Sequence, residues 1–188
     1  MAYAKNKDID FIICDHHRPG DTLPSAVAVL DPKRSDCDYP FKELCGCGVG
    51  FKLAQAYHQQ YNLPFEDLVP LLDLVVVSIA ADIVPMIDEN RVLSFYGLQQ
   101  LNASPRIGLK ALMDVANRKD TFTISDVVFG LAPRINAAGR IEHGNKAVEL
   151  LVQQDFSTAK EKADYIDNHN FTRKELDKSI TQEALAMI

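Results

Sequence analysis

The sequence predicts an α/β protein: a parallel sheet flanked by helices, followed by a long C-terminal helix. Three observations carry this prediction. Two short apolar runs, Ile9–Cys14 and Ala26–Leu30, are rich in β-branched residues and end at polar or proline punctuation. Several longer segments repeat apolar residues at helical spacing. The last stretch, from Ser157 to Ile188, is polar, continuous and helical in pattern.

In chain order, Ala2–Asp8 reads as the tail of a helix feeding the first strand, Ile9–Cys14. Asp15-His16-His17 stands at the tip of that strand, and Arg18-Pro19-Gly20 forces a loop directly after it. Ala26–Leu30 is the second strand, closed by Asp31-Pro32. Nearly continuous apolar strands suit a sheet covered on both faces. Residues 36–44 form a loop. Cys45-Gly46-Cys47-Gly48-Val49-Gly50 is a glycine-rich turn opening a helix. It has two readings, a phosphate cradle of backbone N–H groups or glycines that let two backbones approach.

Pro64–Leu72 begins a new helix, and Leu71–Ala81 is apolar all round, as in a buried helix. It should end at Asp82-Ile83-Val84-Pro85, because Pro85 disfavours helix at Val84. Asn90–Leu101 is a helix with an apolar face of Val92, Leu93, Tyr96 and Leu98, and Ile107–Val115 is another. Thr123–Asp126 resembles a capped start to a short helix, Val127–Leu131. Residues 132–141 read as a polar loop, with Arg134, Asn136 and Arg140. Together with Lys146 the arginines form the most basic patch of the chain. Asn145–Leu151 is helical. The final helix has a weak stripe of Ala163, Ile166, Phe171, Leu176, Ile180 and Leu185.

The 188 residues suffice for one sizeable domain with an appendage. Hydrophobic residues at 47% and charged residues at 24% are ordinary for a globular protein. A net charge of −6 excludes a generally basic nucleic-acid coat, not a local basic groove. The longest apolar run, Leu74–Ala81, is far short of the roughly 20 residues that span a bilayer. Residues 1–7 lack the apolar core of a signal peptide. The four cysteines, Cys14, Cys37, Cys45 and Cys47, lack zinc-knuckle or redox-pair spacing. They are expected to be reduced, and the protein cytoplasmic, without a membrane partner.

Asp-His-His at a strand tip is where open α/β sheets place ligands. Carboxylates and imidazole suit Mn²⁺, and carboxylates suit Mg²⁺. Asp82, released at the end of a buried helix, has a bland reading as a loop carboxylate bonded to a backbone N–H. Beside Asp-His-His it becomes the partner ligand: one His and one Asp on the metal, with a second His facing substrate. A two-metal phosphoryl site needs more carboxylates. Asp8 and Asp10 are poorly placed to supply them. Ser25 and His16 lack a nucleophile elbow, and strand alternation points Cys14 away from Asp15. His58 and His169 read as surface residues, and His143 as a residue in reach of a phosphate.

Asp15-His16-His17, Ala81-Asp82-Ile83-Val84-Pro85 and Pro133-Arg134-Ile135-Asn136-Ala137-Ala138-Gly139-Arg140 together resemble the DHH phosphoesterase superfamily, in particular its single-strand-specific 5′→3′ DNA exonucleases. The likeness runs from Ala2 to about Leu151. It implies that residues 1–152 are part of a DHH domain, truncated so that the first two carboxylate-bearing motifs lie upstream. It implies that residues 153–188 are a connector helix toward an absent DHH-associated domain. It also implies roles. His16 and Asp82 are metal ligands for Mn²⁺ or Mg²⁺, in a two-metal site of the intact parent. His17 contacts the scissile phosphate or helps activate water, and Asp15 orients the histidines. Arg134 or Arg140, with Asn136, holds DNA phosphate. The implied partners are single-stranded DNA and, for the parent, single-strand-binding protein and a helicase, in DNA repair and recombination. The chain alone is expected to be inactive. The alternatives are a DHH phosphodiesterase acting on oligoribonucleotides or cyclic dinucleotides, and a non-catalytic scaffold.

Overall fold

The computed structural model describes residues 1–116, 121–141 and 144–187, and of residues 140 and 141 the backbone. It forms two compact units, Met1–Gln99 and Gln100–Ile188.

In the first unit a short helix α1 (Ala2–Lys5) precedes strand β1 (Ile12–Cys14), which pairs in parallel with β2 (Ala28–Leu30). The register sets Ile12 opposite Ala28 and Cys14 opposite Leu30. Both strands are shorter than the apolar runs that announce them. The expectation of a sheet covered on both faces is not met, since none of the six strand residues is buried. Among the described residues the sheet has two strands, and only their C-terminal ends, Cys14 and Leu30, pack against the core.

That core forms where helix α2 (Gly46–Gln60) and helix α3 (Leu72–Asp82) meet, with Leu44, Phe51, Leu68, Val75 and Ile79 at its centre. Proline at 64 sets the extended entry to a 3₁₀ helix, Phe65–Leu71, which leads into α3. Seven of the eleven residues of α3 are buried, as its all-round apolar sequence requires. Helix α4 (Asp88–Ala103) presents a different face from the one expected. Val92 and Tyr96 are exposed, whereas Asn90, Leu93, Ser94 and Gly97 are buried. The reason is Gly97: a Cβ there would stand 2.7 Å from the Leu72 carbonyl oxygen and 2.7 Å from Val76 Cβ. The helix lies on α3 along its smallest side chains, and the larger ones turn outward.

The second unit packs α5 (Ile107–Val115), α7 (Ala132–Ile141) and α8 (Asn145–Leu151) on the first half of α9 (Phe156–Ala186). Gly108 lets α5 approach α8 closely, because a Cβ there would meet Leu150 O at 2.1 Å. Helix α6 (Ile124–Asp126) has the capped start expected near Thr123, and the cap is a capping box: Thr123 Oγ1 accepts from Asp126 N and Asp126 Oδ2 accepts from Thr123 N. Residues 132–141, expected as a loop, are helical instead. Pro133 cannot donate to the carbonyl of residue 129, and the π-helical turn Val127–Leu131 just before it absorbs the mismatch. In α9, Ala159, Ala163 and Ile166 are buried, but Phe171, Leu176, Ile180 and Leu185 of the expected stripe are exposed.

Candidate metal centre

The ladder between the strands continues one residue past β1, where Asp15 N–H donates to Leu30 O at 2.9 Å. This fixes the backbone of Asp15 and leaves its side chain to organise the turn. Asp15 Oδ1 accepts from His16 N at 2.7 Å and His17 N at 3.2 Å, the self-capping turn that aspartate favours. The same oxygen lies 2.7 Å from His17 Nδ1. A carboxylate can only accept, so Nδ1 of the exposed ring donates. The His17 hydrogen bond holds the Asp15 carboxyl below its ordinary range, with the two backbone N–H groups adding to it against a burial effect that raises it.

The His16 ring lies beside that of His17, with centroids 4.4 Å apart. It is 16% exposed, and its Nε2 faces Asp82 Oδ2 at 3.7 Å. Asp82 arrives at this point because α3 ends there: Ile83 adopts the left-handed conformation, φ 52°, and turns the chain away. Few β-branched residues hold that conformation, and such strain gathers at functional sites. Ser78, one turn earlier on α3, donates from Oγ to Asp82 Oδ2 at 3.4 Å. Gly46, the first residue of α2, backs the His16 ring, since a Cβ there would lie 3.5 Å from His16 Cδ2.

His16 Nε2 and Asp82 Oδ2 stand 3.7 Å apart, longer than the about 3.0 Å between adjacent ligands of an octahedral ion and shorter than the about 4.2 Å between opposite ones, so one of the two side chains would have to move by about half an ångström to seat such an ion between them. Imidazole plus carboxylate is a donor pair that Mn²⁺ accepts. The set is partial: among the described residues no group of three His, Cys, Asp or Glu side chains could hold a metal ion.

The glycine-rich turn belongs to α2 from its first residue. Cys45 is its N-cap, accepting at Sγ from Gly48 N at 3.3 Å. Gly48 is buried, but a Cβ there would meet only side-chain atoms of Leu44 and Cys45, at 3.4 Å, and one at Gly50 would meet nothing within 4 Å, so no second backbone approaches these glycines as the packing reading expected. All four cysteines are free, and burial pushes the Cys14 and Cys45 thiols up. Sequence reasoning missed Gly46 and Ser78 as supports of the pair. The spacing of Ser78 four residues before Asp82, one helical turn, was the available signal for the second.

The predicted phosphate-binding residues lie in the second unit, on α7. Arg134 is engaged internally: its Nε bonds Asp167 Oδ1 at 2.7 Å and its Nη1 donates to Gly130 O at 2.6 Å. Asn136 is exposed. The Arg140 side chain and His143 lie outside the described residues. Lys146 stands 3.9 Å from Glu149, which also binds Lys162 at 2.7 Å. Of the basic patch read from the sequence, Arg134 is thus paired with Asp167 of α9 and Lys146 stands beside Glu149 of α8.

Residues 1–79 match the family model described as DHH family, N-terminal domain. Among curated proteins, the chain is 44% identical over 186 residues to the single-stranded-DNA-specific exonuclease RecJ of Bacillus subtilis (strain 168), covering 98% of the chain and 23% of that protein. It is 39% identical over 198 residues to the RecJ of Escherichia coli (strain K12), covering 100% of the chain and 34% of that protein. The chain thus spans between about a quarter and a third of the length of these relatives. Among solved structures, exonuclease RecJ bound to manganese superposes with a TM-score of 0.86 at 31% identity, covering 98% of this chain and 46% of that one. RecJ in complex with Mn²⁺ from Thermus thermophilus gives 0.84 at 30% identity, covering 96% and 27%.

Proposed function

The chain belongs to the DHH family, and we propose that it forms part of a RecJ-type exonuclease that degrades single-stranded DNA from the 5′ end. The observation that carries the reading is the approach of His16 Nε2 and Asp82 Oδ2, brought together from a strand tip and a helix end. In this reading the pair holds Mn²⁺ or Mg²⁺, as two ligands of a two-metal site. The bound ion neutralises phosphodiester charge and lowers the pKa of water. Every other step falls to the chain. Asp15 fixes both His backbone groups and the His17 tautomer. His17, 78% exposed at its side chain, presents Nε2 to the scissile phosphate or the attacking water. Arg134 or Arg140, with Asn136, holds a DNA phosphate.

Within this proposal residues 1–152 are part of the DHH domain, and residues 153–188 are the connector to a second domain. Repair and recombination in the cytoplasm, beside single-strand-binding protein and a helicase, is the corresponding setting. No described helix is long and apolar enough to cross a membrane. The isolated chain is expected to be inactive, because two donors hold such an ion weakly.

A chimera tests the reading. The 188 residues replace the matching segment of the Bacillus subtilis relative, and digestion of 5′-phosphorylated single-stranded DNA is followed with Mn²⁺. The expected result is metal-dependent release of mononucleotides, reduced more than about 100-fold by His16→Ala or Asp82→Asn. A folded chimera that digests DNA equally well with either substitution refutes it. Preference for cyclic dinucleotides over DNA would replace it with the other phosphodiesterase reading.

A further inference from the structure

Asn90 is fully buried on the first turn of α4, yet it is a polar residue that belongs to no ligand set described above. Its Nδ2 group donates twice, to Pro85 O at 3.0 Å and to Glu43 O at 2.6 Å. These two carbonyls lie on segments that matter to the His16–Asp82 pair. Pro85 closes the turn that begins at Asp82, where Ile83 is held left-handed. Glu43 precedes Cys45 and Gly46, the start of α2, which backs the His16 ring. One amide group therefore ties the turn after one ligand to the segment before the support of the other.

The neighbouring residue reinforces this link. Glu89 accepts from Tyr39 Oη at 2.8 Å and 3.0 Å, and pairs with Lys52 of α2. Burial first, and the Glu89 carboxylate second, push the Tyr39 hydroxyl pKa up, so it remains a donor at any physiological pH. Helix α4 is itself fixed to α3, through the close approach at Gly97. Its first turn is thus a rigid clamp between the C-terminal end of α3 and the entry to α2.

We propose that Asn90 is a positioning residue for the metal pair, holding Asp82 and His16 near ligand spacing by bonding the Pro85 and Glu43 carbonyls with one side-chain amide. The proposal rests on the metal reading of His16 and Asp82. Asparagine suits the task because it offers two N–H donors from one planar group without a charge. Aspartate has the same shape and neither donor. A ligand displaced by a fraction of an ångström weakens the ion, as is usual when the groups behind metal ligands are altered.

The test is Mg²⁺ titration of the wild-type chain by NMR, repeated with Asn90→Asp, Asn90→Ala and, as a control, Leu68→Ala. Leu68 is buried in the same core, on the 3₁₀ helix that precedes α3. In the wild type, the signals of His16, Asp82 and the Asn90 side-chain amide are expected to shift together with one affinity. Both Asn90 variants are expected to bind about tenfold more weakly, and Leu68→Ala to bind as wild type despite a lower melting temperature. If His16 and Asp82 respond but the Asn90 amide does not, or if Asn90→Asp keeps wild-type affinity, the inference falls while the metal reading stands. Equal loss of affinity in Leu68→Ala reduces Asn90 to general stability and also overturns it. If His16 and Asp82 do not respond in the wild type, the metal reading falls and takes the inference with it. Should both Asn90 variants unfold, the wild-type amide decides alone.

Discussion

Replacing Gly97 with alanine puts the packing of the first unit to the test. Alanine is the better helix former by about 1 kcal/mol, so propensity alone predicts stabilisation. The structure predicts the reverse. The new Cβ would meet Leu72 O and Val76 Cβ at 2.7 Å each, and Val76 Cγ1 at 3.1 Å. Ordinary contact begins near 3.4 Å, so two neighbours must yield by about 0.7 Å. One of them is the backbone carbonyl of Leu72, at the start of the buried helix α3, and yields least. Overpacking of this kind costs about 1–3 kcal/mol. Because one of the clashes is with backbone, the cost falls in the upper part of that range, about 2–3 kcal/mol; set against the propensity gain of about 1 kcal/mol, the net loss is about 1–2 kcal/mol, or a drop of roughly 4–16 °C in Tm for a unit of this size. Gly50→Ala is the matched control, since a Cβ there meets nothing within 4 Å. It should raise stability by up to about 1 kcal/mol. Thermal and urea melts followed by circular dichroism measure both. A Gly97→Ala protein that melts at or above wild type refutes the close approach of α4 to α3.

Three further outcomes are expected. Gly108→Ala should destabilise the second unit more than Gly97→Ala destabilises the first, because its Cβ would stand 2.1 Å from Leu150 O; urea melts of the two variants check this. Arg134→Ala and Asp167→Asn should each lower stability, with a coupling of about 1 kcal/mol in a double-mutant cycle; additive losses would free Arg134 from its internal role. Asp155 caps α9, and the Thr158 N–H holds its carboxyl below the usual value. Its folded pKa is depressed, so its contribution is present above the unfolded pKa of about 3.9 and is lost as pH falls through the lower folded value. Asn caps equally well without titrating. Melts between about pH 5 and pH 2 should therefore show Asp155→Asn losing less stability than wild type.

The parts of this molecule that are legible in the sequence share one property: their signal is local. Asp15-His16-His17 falls at a strand tip because Pro19 and Gly20 end the strand. Asp82 falls at a helix end because Pro85 forbids more helix. Helices α5 and α8 are readable to the residue because their apolar periodicity is plain. What escapes is set by packing. Residues 132–141 look like a loop, with proline, glycine and two arginines. They are helical because a π-turn accommodates Pro133 and because Arg134 satisfies the carbonyl of Gly130. The buried face of α4 escapes because Asn90, Ser94 and Gly97 do not look like a core. A close helix contact wants small residues, and a clamp wants an amide. The long stripe of α9 is correct only in its first half, since periodicity tells which face is apolar and not what covers it. For the candidate site, the approach of His16 and Asp82 is foreshadowed by their residue types at a strand tip and a helix end, whereas the contacts of Gly46, Ser78 and Asn90 around them become visible only once three segments have met.

The central claim is that His16 and Asp82 hold one divalent ion between them. Paramagnetic broadening by Mn²⁺ tests it most directly, because even weak binding to an incomplete site is recorded residue by residue. Titrated at low concentration into the labelled chain, Mn²⁺ should broaden the His16 ring signals and the Asp82 amide first. His16→Ala and Asp82→Ala should each abolish the effect at the other residue. Broadening that begins elsewhere, at Asp88 or Glu149 for instance, or that survives at Asp82 without His16, would contradict the claim.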